Sequence, residues 1–462
     1  MEFPALGIGK GVEDKLTLLV SIGAVILLIA ILAGLASRRR PRPGRTLIAV
    51  LCIAGLAAVP FSPVFAPRNL VAPLVALVVG LAAFSWLYAL AARPQGAPND
   101  GGGGISRRRV LLSAVTVGAA GIVAAVVGSS LGGGVARSRN ALFGRITPVQ
   151  PAPAFPTGAD FASIGTPTFI TPNRDFYRID TALRVPEVTA ESWSLRLHGM
   201  VGKELRLTYD DLLARPLLGK TITMTCVSNE VNGPLISTAN FTGVSLRDLL
   251  LEAGVKPGAE QLFSTSIDGW TAGTPTDVLL RPDSDALLAI GMNGEPLPPE
   301  HGFPVRMVVP GLYGFVSATK WVTDLELTTF DAKHAYWLTR GWGQRAPIKT
   351  QSRIDRPQGF QTLRAGPNGM VTLAGIAWAQ TRGIDKVEVR LDDTGPWQPA
   401  QLSTQVNTET WRMWRHDIAL APGLHSVQCR ATDATGVTQT PDPAPPIPDG
   451  AAGWPKISFT VA

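Results

Sequence analysis

The sequence predicts a multi-domain chain: an N-terminal four-helix transmembrane anchor, a mixed α+β domain, and a C-terminal immunoglobulin-like β-sandwich. Three observations predict it. The first 135 residues hold four charge-free apolar runs. Beyond a Pro/Gly-rich tether, helical and strand patterns intermingle between long loops. From about residue 367 only short alternating segments remain, separated by turn residues. The parts read as 1–135 anchor, 136–168 tether, 169–350 mixed domain and 351–462 sandwich.

The runs at 16–36, 46–66 and 70–92 each have the length to cross roughly 30 Å of hydrocarbon as a helix. A fourth, about 110–131, is richer in Ala and Gly but equally uncharged. Pro60 and Pro63 kink or end the second run. "SRRRPRPGR" holds five arginines, and Arg93, Arg107, Arg108 and Arg109 form a second basic loop. Positive-inside reasoning puts both loops in the cytoplasm and everything after about 135 outside. The expected location is therefore the cell membrane, multi-pass, with the later domains extracytoplasmic. "SRRRVLLSAVTVGAAGIVAA" (106–125) also resembles a twin-arginine export signal, the alternative being the charged flank of an ordinary span.

Charge is uneven along the chain. Residues 1–135 carry twelve Lys/Arg against four acids, net +8, while the whole chain is +7. The remainder is therefore near −1, so the basicity belongs to the anchor and no nucleic-acid partner is expected. The three cysteines, Cys52, Cys226 and Cys429, lie far apart with no CxxC spacing, which excludes a disulfide scaffold and argues against structural zinc. The spans hold no histidine, the first being His198, so they cannot supply a bis-histidine haem site.

In the mixed domain, "SWSLRLHGMV", "KTITMTC", "FPVRMVVPG" and "TKWVTDLELTTF" read as strands, while "TYDDLLAR" and "SLRDLLLEAG" read as helices, the latter stopped by Gly254. In the last part, "GMVTLAGIAWAQ", "IDKVEVRLDD", "WQPAQLS", "RMWRHDIAL", "GLHSVQCRATD" and "PKISFTVA" give the strands of a sandwich without its disulfide.

Three stretches carry chemistry. In "TMTCVSNEVNGP" (223–234), Ile222, Met224 and Cys226 share one strand face and Thr221, Thr223 and Thr225 the other. A cysteine with such neighbours is ordinarily a buried inert thiol, the reading that also fits Cys429 and Cys52. Cys226 differs in ending its strand before an irregular polar loop, where a thiolate can reach a heavy redox metal. In "EHGFPVRMVVPGLYGFVSATKW" (300–321), His301, Arg306 and Lys320 suit phosphate, with Gly311 and Gly314 allowing close approach. A plain hairpin with solvated charges is the alternative. "TPNRDFYRID" (171–180) packs two Arg, an Asn and two aromatics behind a turn, as an edge loop also would.

Together, over roughly 160–462, these stretches resemble the sulfite oxidase-type molybdopterin enzymes. The cysteine followed by a small residue and Asn is similar to the family's metal-ligand motif. "HGFPVRMVVPG…KW" is similar to its cofactor-binding string, and the last hundred residues to its dimerisation domain. The resemblance implies one molybdenum held by molybdopterin, with Cys226 completing its sulfur ligands. It implies that His301, Arg306 and Lys320 bind the phosphate end, with Ser317 and Thr319 nearby. It further implies that Asn173, Phe176, Tyr177 and Arg178 lie over the cofactor, with Ser266 touching it. Asn229 and Arg382 are expected at the substrate.

The sequence departs from the sulfite oxidase pattern after the cysteine, where Gly-Asn-Arg-Arg is replaced by Ser228, Asn229, Glu230 and Val231. The arginines that would hold a sulfite dianion are missing there, leaving Arg174 or Arg382 as substitutes. The expected function is oxygen-atom transfer on a small substrate. A sulfoxide or methionine-sulfoxide reductase and a non-catalytic binding module are the alternatives. The expected partners are a separate electron carrier, quinone or cytochrome, and a second copy of the chain.

Overall fold

The computed structural model describes residues 40–59, 70–91, 133–182 and 184–462, with residues 20–37 in part. The chain divides into two compact units, Met1–Ala136 with Asp180–Pro186, and Arg137–Ile179 with Glu187–Ala462.

The first unit contains helices α1 (Arg42–Ala58) and α2 (Val71–Ala91). They pack through small residues, a Cβ at Gly44 falling 2.2 Å from the Phe84 ring and one at Gly80 falling 3.2 Å from Ile48. Arg45 Nε donates to Ser85 Oγ at 3.1 Å between them. Among the described residues no helix is long and apolar enough to cross a membrane. The described residues thus do not support the four-helix transmembrane anchor that the charge-free runs predict. The physical reason is clearest in α1. Its 17 residues rise about 25 Å at about 1.5 Å each, and two arginines open it. The expected span at 16–36 is described only in part. The run at 110–131 and the arginine-paired segment at 106–125 lie outside the described residues.

The second unit opens within α3 (Gly134–Asn140), whose Arg139 pairs with Glu295 at 2.7 Å. The mixed domain follows, and its first sheet is β2–β1–β10–β5–β6, with β1 (Ser194–Gly199), β2 (Leu205–Thr208), β5 (Gln261–Ser266), β6 (Thr271–Pro275) and β10 (Val322–Thr328). Its second runs β3–β4–β7–β8, with β3 (Leu218–Thr225), β4 (Ile236–Ser245), β7 (Leu287–Met292) and β8 (Glu295–Pro296), and with β9 (Arg306–Val308) also on β7. Helix α4 (Tyr209–Leu213) starts at a capping box between Thr208 and Asp211. Helix α5 (Leu246–Ala253) is capped by Ser245 and stopped by left-handed Gly254, buries Leu246, Leu249 and Leu250, and is followed by the short α6 (Thr276–Leu279) and α7 (Gly314–Ser317).

The C-terminal part is a two-sheet β-structure. One sheet has the order β11–β13–β17–β16, formed by β11 (Gln351–Arg356), β13 (Met370–Trp378), β16 (Gln401–Leu402) and β17 (Arg412–Ala419). The other is β12–β19–β18–β14–β15, formed by β12 (Thr362–Leu363), β14 (Ile384–Leu391), β15 (Gln398–Pro399), β18 (Gly423–Asp433) and β19 (Lys456–Val461). Alternation along the strands turns Val371, Leu373, Val387, Val389, Trp414, Val427 and Phe459 into one core. Cys429 belongs to that core, and burial pushes its thiol up to about 12. It is the inert cysteine its pattern predicts.

Candidate active site

Cys226 follows the last residue of β3 and is 8% exposed. Its backbone N–H donates to Leu235 O at 3.0 Å, and its carbonyl accepts the Asn229 N–H at 3.1 Å. Residues 227–235 therefore fold back as a tight loop beneath the sulfur. Asn229 Oδ1 fixes that loop by accepting the Leu235 N–H at 2.8 Å. A Cβ at Gly233 would stand 2.6 Å from that same oxygen, so the loop needs glycine there. Asn229 Nδ2 is buried without a hydrogen-bond partner. Glu230, beside it in sequence, is exposed.

His301, Arg306 and Lys320 are 2%, 3% and 9% exposed. The turn that gathers them depends on Gly302, at φ +108°, where a Cβ would lie 3.0 Å from Arg306 and 3.2 Å from Lys320. Arg306 Nη1 donates to His301 O at 3.1 Å, and its guanidinium sits 5.8 Å from the Phe241 ring centre. Among the described residues no carboxylate pairs with it. Burial draws its pKa down to about 10. His301 Nε2 donates to Asn173 O at 2.9 Å, while its buried Nδ1 has no partner. Burial, then Arg306 and Lys320, lower His301 to about 3. Lys320 Nζ donates to Glu300 O at 3.0 Å. Charges sealed from water in this way are costly unless an anion meets them.

The 171–180 loop joins the sulfur to this cationic cluster. Phe176 packs 5.4 Å from the His301 ring and 5.4 Å from Tyr177. The Tyr177 phenol is held far up by burial; Cys226 acts in the same direction and Arg306 against it. A Cβ at Gly314, the start of α7, would lie 3.7 Å from Tyr177 Oη and 3.9 Å from Thr225 O. Arg178 is half-buried and within electrostatic reach of His301.

Several expected contacts have other employment. The Asn173 side chain is bound to Glu295, Met292 O and Asn293, so only its carbonyl serves the cluster, through His301. Ser317 Oγ donates to Leu312 O and Tyr313 O, and Thr319 Oγ1 pairs with Ser264 Oγ at 2.6 Å, which leaves their backbones to a ligand. Ser266 Oγ, by contrast, is buried and unpartnered. Arg382 gives Nε to Asp433 at 2.8 Å and Nη2 to Ile348 O and Thr350 Oγ1. Burial opposes the charge on Asp433, yet hydrogen bonds from Thr435, Thr350 and Arg382 keep it well below the carboxylate range. Arg174 is solvent-exposed beside Asp175.

Two residues escape the sequence reading. Tyr313, 3% exposed, is pushed up to about 12 by burial, with Asp449 and Cys226 acting likewise and Arg382 opposing. Its place inside "PGLYG" was a usable signal. Gln380 donates Nε2 to Thr223 O at 3.1 Å, and nothing in the sequence around it marks that contact.

Cys226, two phenols held neutral and an unpartnered amide thus stand beside a buried cationic cluster. Such a set can hold a soft metal through sulfur and a phosphate through nitrogen. The buried guanidinium without a carboxylate and the orphaned His301 Nδ1, Asn229 Nδ2 and Ser266 Oγ fit a bound molybdopterin.

Comparison with known proteins agrees. Residues 182–337 match the oxidoreductase molybdopterin binding domain, and residues 344–445 the Mo-co oxidoreductase dimerisation domain. Human mitochondrial sulfite oxidase is 30% identical over 334 residues, covering 61% of this chain and 59% of that protein. Chicken sulfite oxidase is 30% identical over 326 residues, covering 60% of this chain and 70% of that protein. The sulfane dehydrogenase SoxCD from Paracoccus pantotrophus matches at 27% identity and TM-score 0.52, covering 59% of this chain and 74% of that one. The chain thus spans 59% of the length of the human relative.

Proposed function

The chain belongs to the sulfite oxidase-type molybdopterin oxidoreductases, and on that premise we propose that it transfers an oxygen atom on a small substrate of low charge. The observation that carries this reading is the buried Arg306–His301–Lys320 cluster, whose guanidinium meets no carboxylate among the described residues and which reaches Cys226 across Tyr177. Cys226 would hold the metal. Arg306, Lys320 and a protonated His301 would hold the phosphate, with the Ser317 and Thr319 backbones beside it. When bound, the cofactor supplies the two-electron change that lets one oxygen atom pass between substrate and water.

The chain's own contribution is orientation and pocket charge. Cys226 would hold the metal as its thiolate. Tyr177 and Tyr313 stay protonated at neutral pH and serve as neutral donors. Asn229 Nδ2 adds an N–H with no internal demand on it. Arg382 is already neutralised by Asp433 and Arg174 points into solvent, which favours an uncharged oxygen donor such as a sulfoxide over the sulfite dianion. Electrons would pass through a separate carrier of the quinone or cytochrome class. The matched dimerisation domain supports a homodimer.

The test is elemental analysis of purified protein combined with two dye assays. Near-equimolar molybdenum, lost together with activity in Cys226→Ala, is expected. Reoxidation of a reduced viologen by sulfoxides should exceed dye reduction by sulfite. Metal-free protein with full activity, or a preference for sulfite, would overturn the reading.

A further inference from the structure

We infer that Gln380 and the 407–411 segment of the C-terminal domain are positioning elements for the Cys226 sulfur. The inference rests on the reading of Cys226 as the metal ligand. β3 is the outermost strand of its sheet, so one edge of its backbone has no neighbouring strand. Gln150 bridges its first residue, Leu218, and the C-terminal domain fills the edge from Thr221 onward. Asn407 Nδ2 donates to Thr221 O at 3.0 Å, and the Thr223 N–H donates to Glu409 O at 3.0 Å. The Trp411 N–H donates to Thr223 Oγ1 at 2.8 Å. Gln380 Nε2 donates to Thr223 O at 3.1 Å and to Thr225 Oγ1 at 3.4 Å, one residue short of the cysteine.

The far side of the cysteine is held by the same domain. The Ile354 N–H donates to Asn232 Oδ1 at 2.8 Å, and Arg353 Nη1 donates to Gly233 O at 3.2 Å. Cys226 is thus bracketed in sequence by bonds from a domain that does not carry it. Gln380 is fully buried, and its Oε1 has no partner. A residue chosen only to fill this space would be apolar, because a half-satisfied buried amide is unfavourable. Its retained value is direction: outer partners of a metal ligand fix where the ligand points, and losing one costs about 10–100-fold in metal affinity or activity.

The experiment compares full-length wild type with Gln380→Leu and with Gln380→Glu, whose carboxylic acid donates only at low pH. The cofactor-free chain is alkylated with iodoacetamide and the Cys226 peptide followed by mass spectrometry. The loaded chain is followed by the electron spin resonance of its metal and by kcat and KM. Expected for Gln380→Leu are at least threefold faster alkylation, shifted resonance values and about 10-fold lower kcat at unchanged KM. Gln380→Glu should recover toward wild type as pH falls. Thr223→Val, which removes the Trp411 contact from the strand side, should move the same readouts if Gln380→Leu fails to fold. Unchanged alkylation and resonance in a folded variant sink the positioning role. Absence of molybdenum in wild type sinks the functional reading instead, and the alkylation arm still decides this one.

Discussion

Arg306 donates through Nη1 to the carbonyl oxygen of His301 at 3.1 Å, so one buried cation orients the turn that carries the buried imidazole. Arg306 is 3% exposed, and among the described residues no carboxylate answers its guanidinium. A stabilising core would not be built this way. Replacing Arg306 by Met should leave the cofactor-free chain as stable as wild type or about 1 kcal/mol more so, since an unpaired buried charge is removed. The same change should abolish molybdenum retention. Thermal melts of the cofactor-free protein and metal analysis of the loaded one check both halves. A variant that melts far lower yet keeps its metal would make Arg306 a structural residue.

His301 provides a pH signature. Its folded pKa, about 3, lies below the ordinary histidine value because of burial and the neighbouring Arg306 and Lys320. The sign follows: the unfolded chain takes up a proton near pH 6.5, the folded chain does not, so stability falls as pH drops from about 6.5 toward 3. Adding pyrophosphate to the cofactor-free protein should reverse this by favouring the charged ring. Nuclear magnetic resonance titration of the His301 ring, with and without pyrophosphate, measures it. Identical titration in both would remove the phosphate role.

The site was legible in the sequence where one local string carried it. "HGFPVR" and "TKW" place His301, Arg306 and Lys320 around a turn whose Gly302 allows nothing larger, so order along the chain became proximity in space. What stayed hidden depends on distant pairings. The strand pattern assigns Thr221, Thr223 and Thr225 to one face but not what covers it; each is 1% exposed, and Asn407, Gln380 and Trp411 of the C-terminal domain bond this strand. Arg382 looked available to substrate until Asp433, fifty-one positions later, turned out to hold it. The 46–66 run shows a related limit: its helix takes in Arg42 and Arg45 and ends at Ala58, so the boundaries of an apolar run do not set those of the helix.

Glu409 offers a second titration, at the junction that holds β3. Burial pushes its carboxyl up to about 7, and Asp285 and Asp283 push the same way, while the Thr381 N–H and Thr408 hydroxyl favour the charged form. Because the folded value lies above the unfolded one, its contribution is complete below about pH 4.5 and is lost as pH rises through about 7. Glu409→Gln should therefore flatten the decline of Tm between pH 5 and 8 and leave molybdenum content unchanged. Calorimetric melts across that window decide it; parallel slopes in the two proteins would contradict the assignment.

Asp433 tests what Arg382 is kept from doing. Its side chain, 1% exposed, takes Arg382 Nε at 2.8 Å and Thr350 Oγ1 at 2.7 Å. Asp433→Asn removes the countercharge while keeping shape, so the stability cost should be about 3 kcal/mol, in the range for breaking a buried pair. The freed positive charge lies within electrostatic reach of Tyr313, as does Cys226. An anionic substrate should then gain where an uncharged one does not. The expected result is roughly a 10-fold rise in kcat/KM for sulfite relative to a sulfoxide, about 1.4 kcal/mol of preferential binding, read from paired dye assays at low ionic strength. If the ratio stays fixed while Tm falls, Arg382 is confined to joining the 348–350 segment to the end of β18 and takes no part in choosing the substrate.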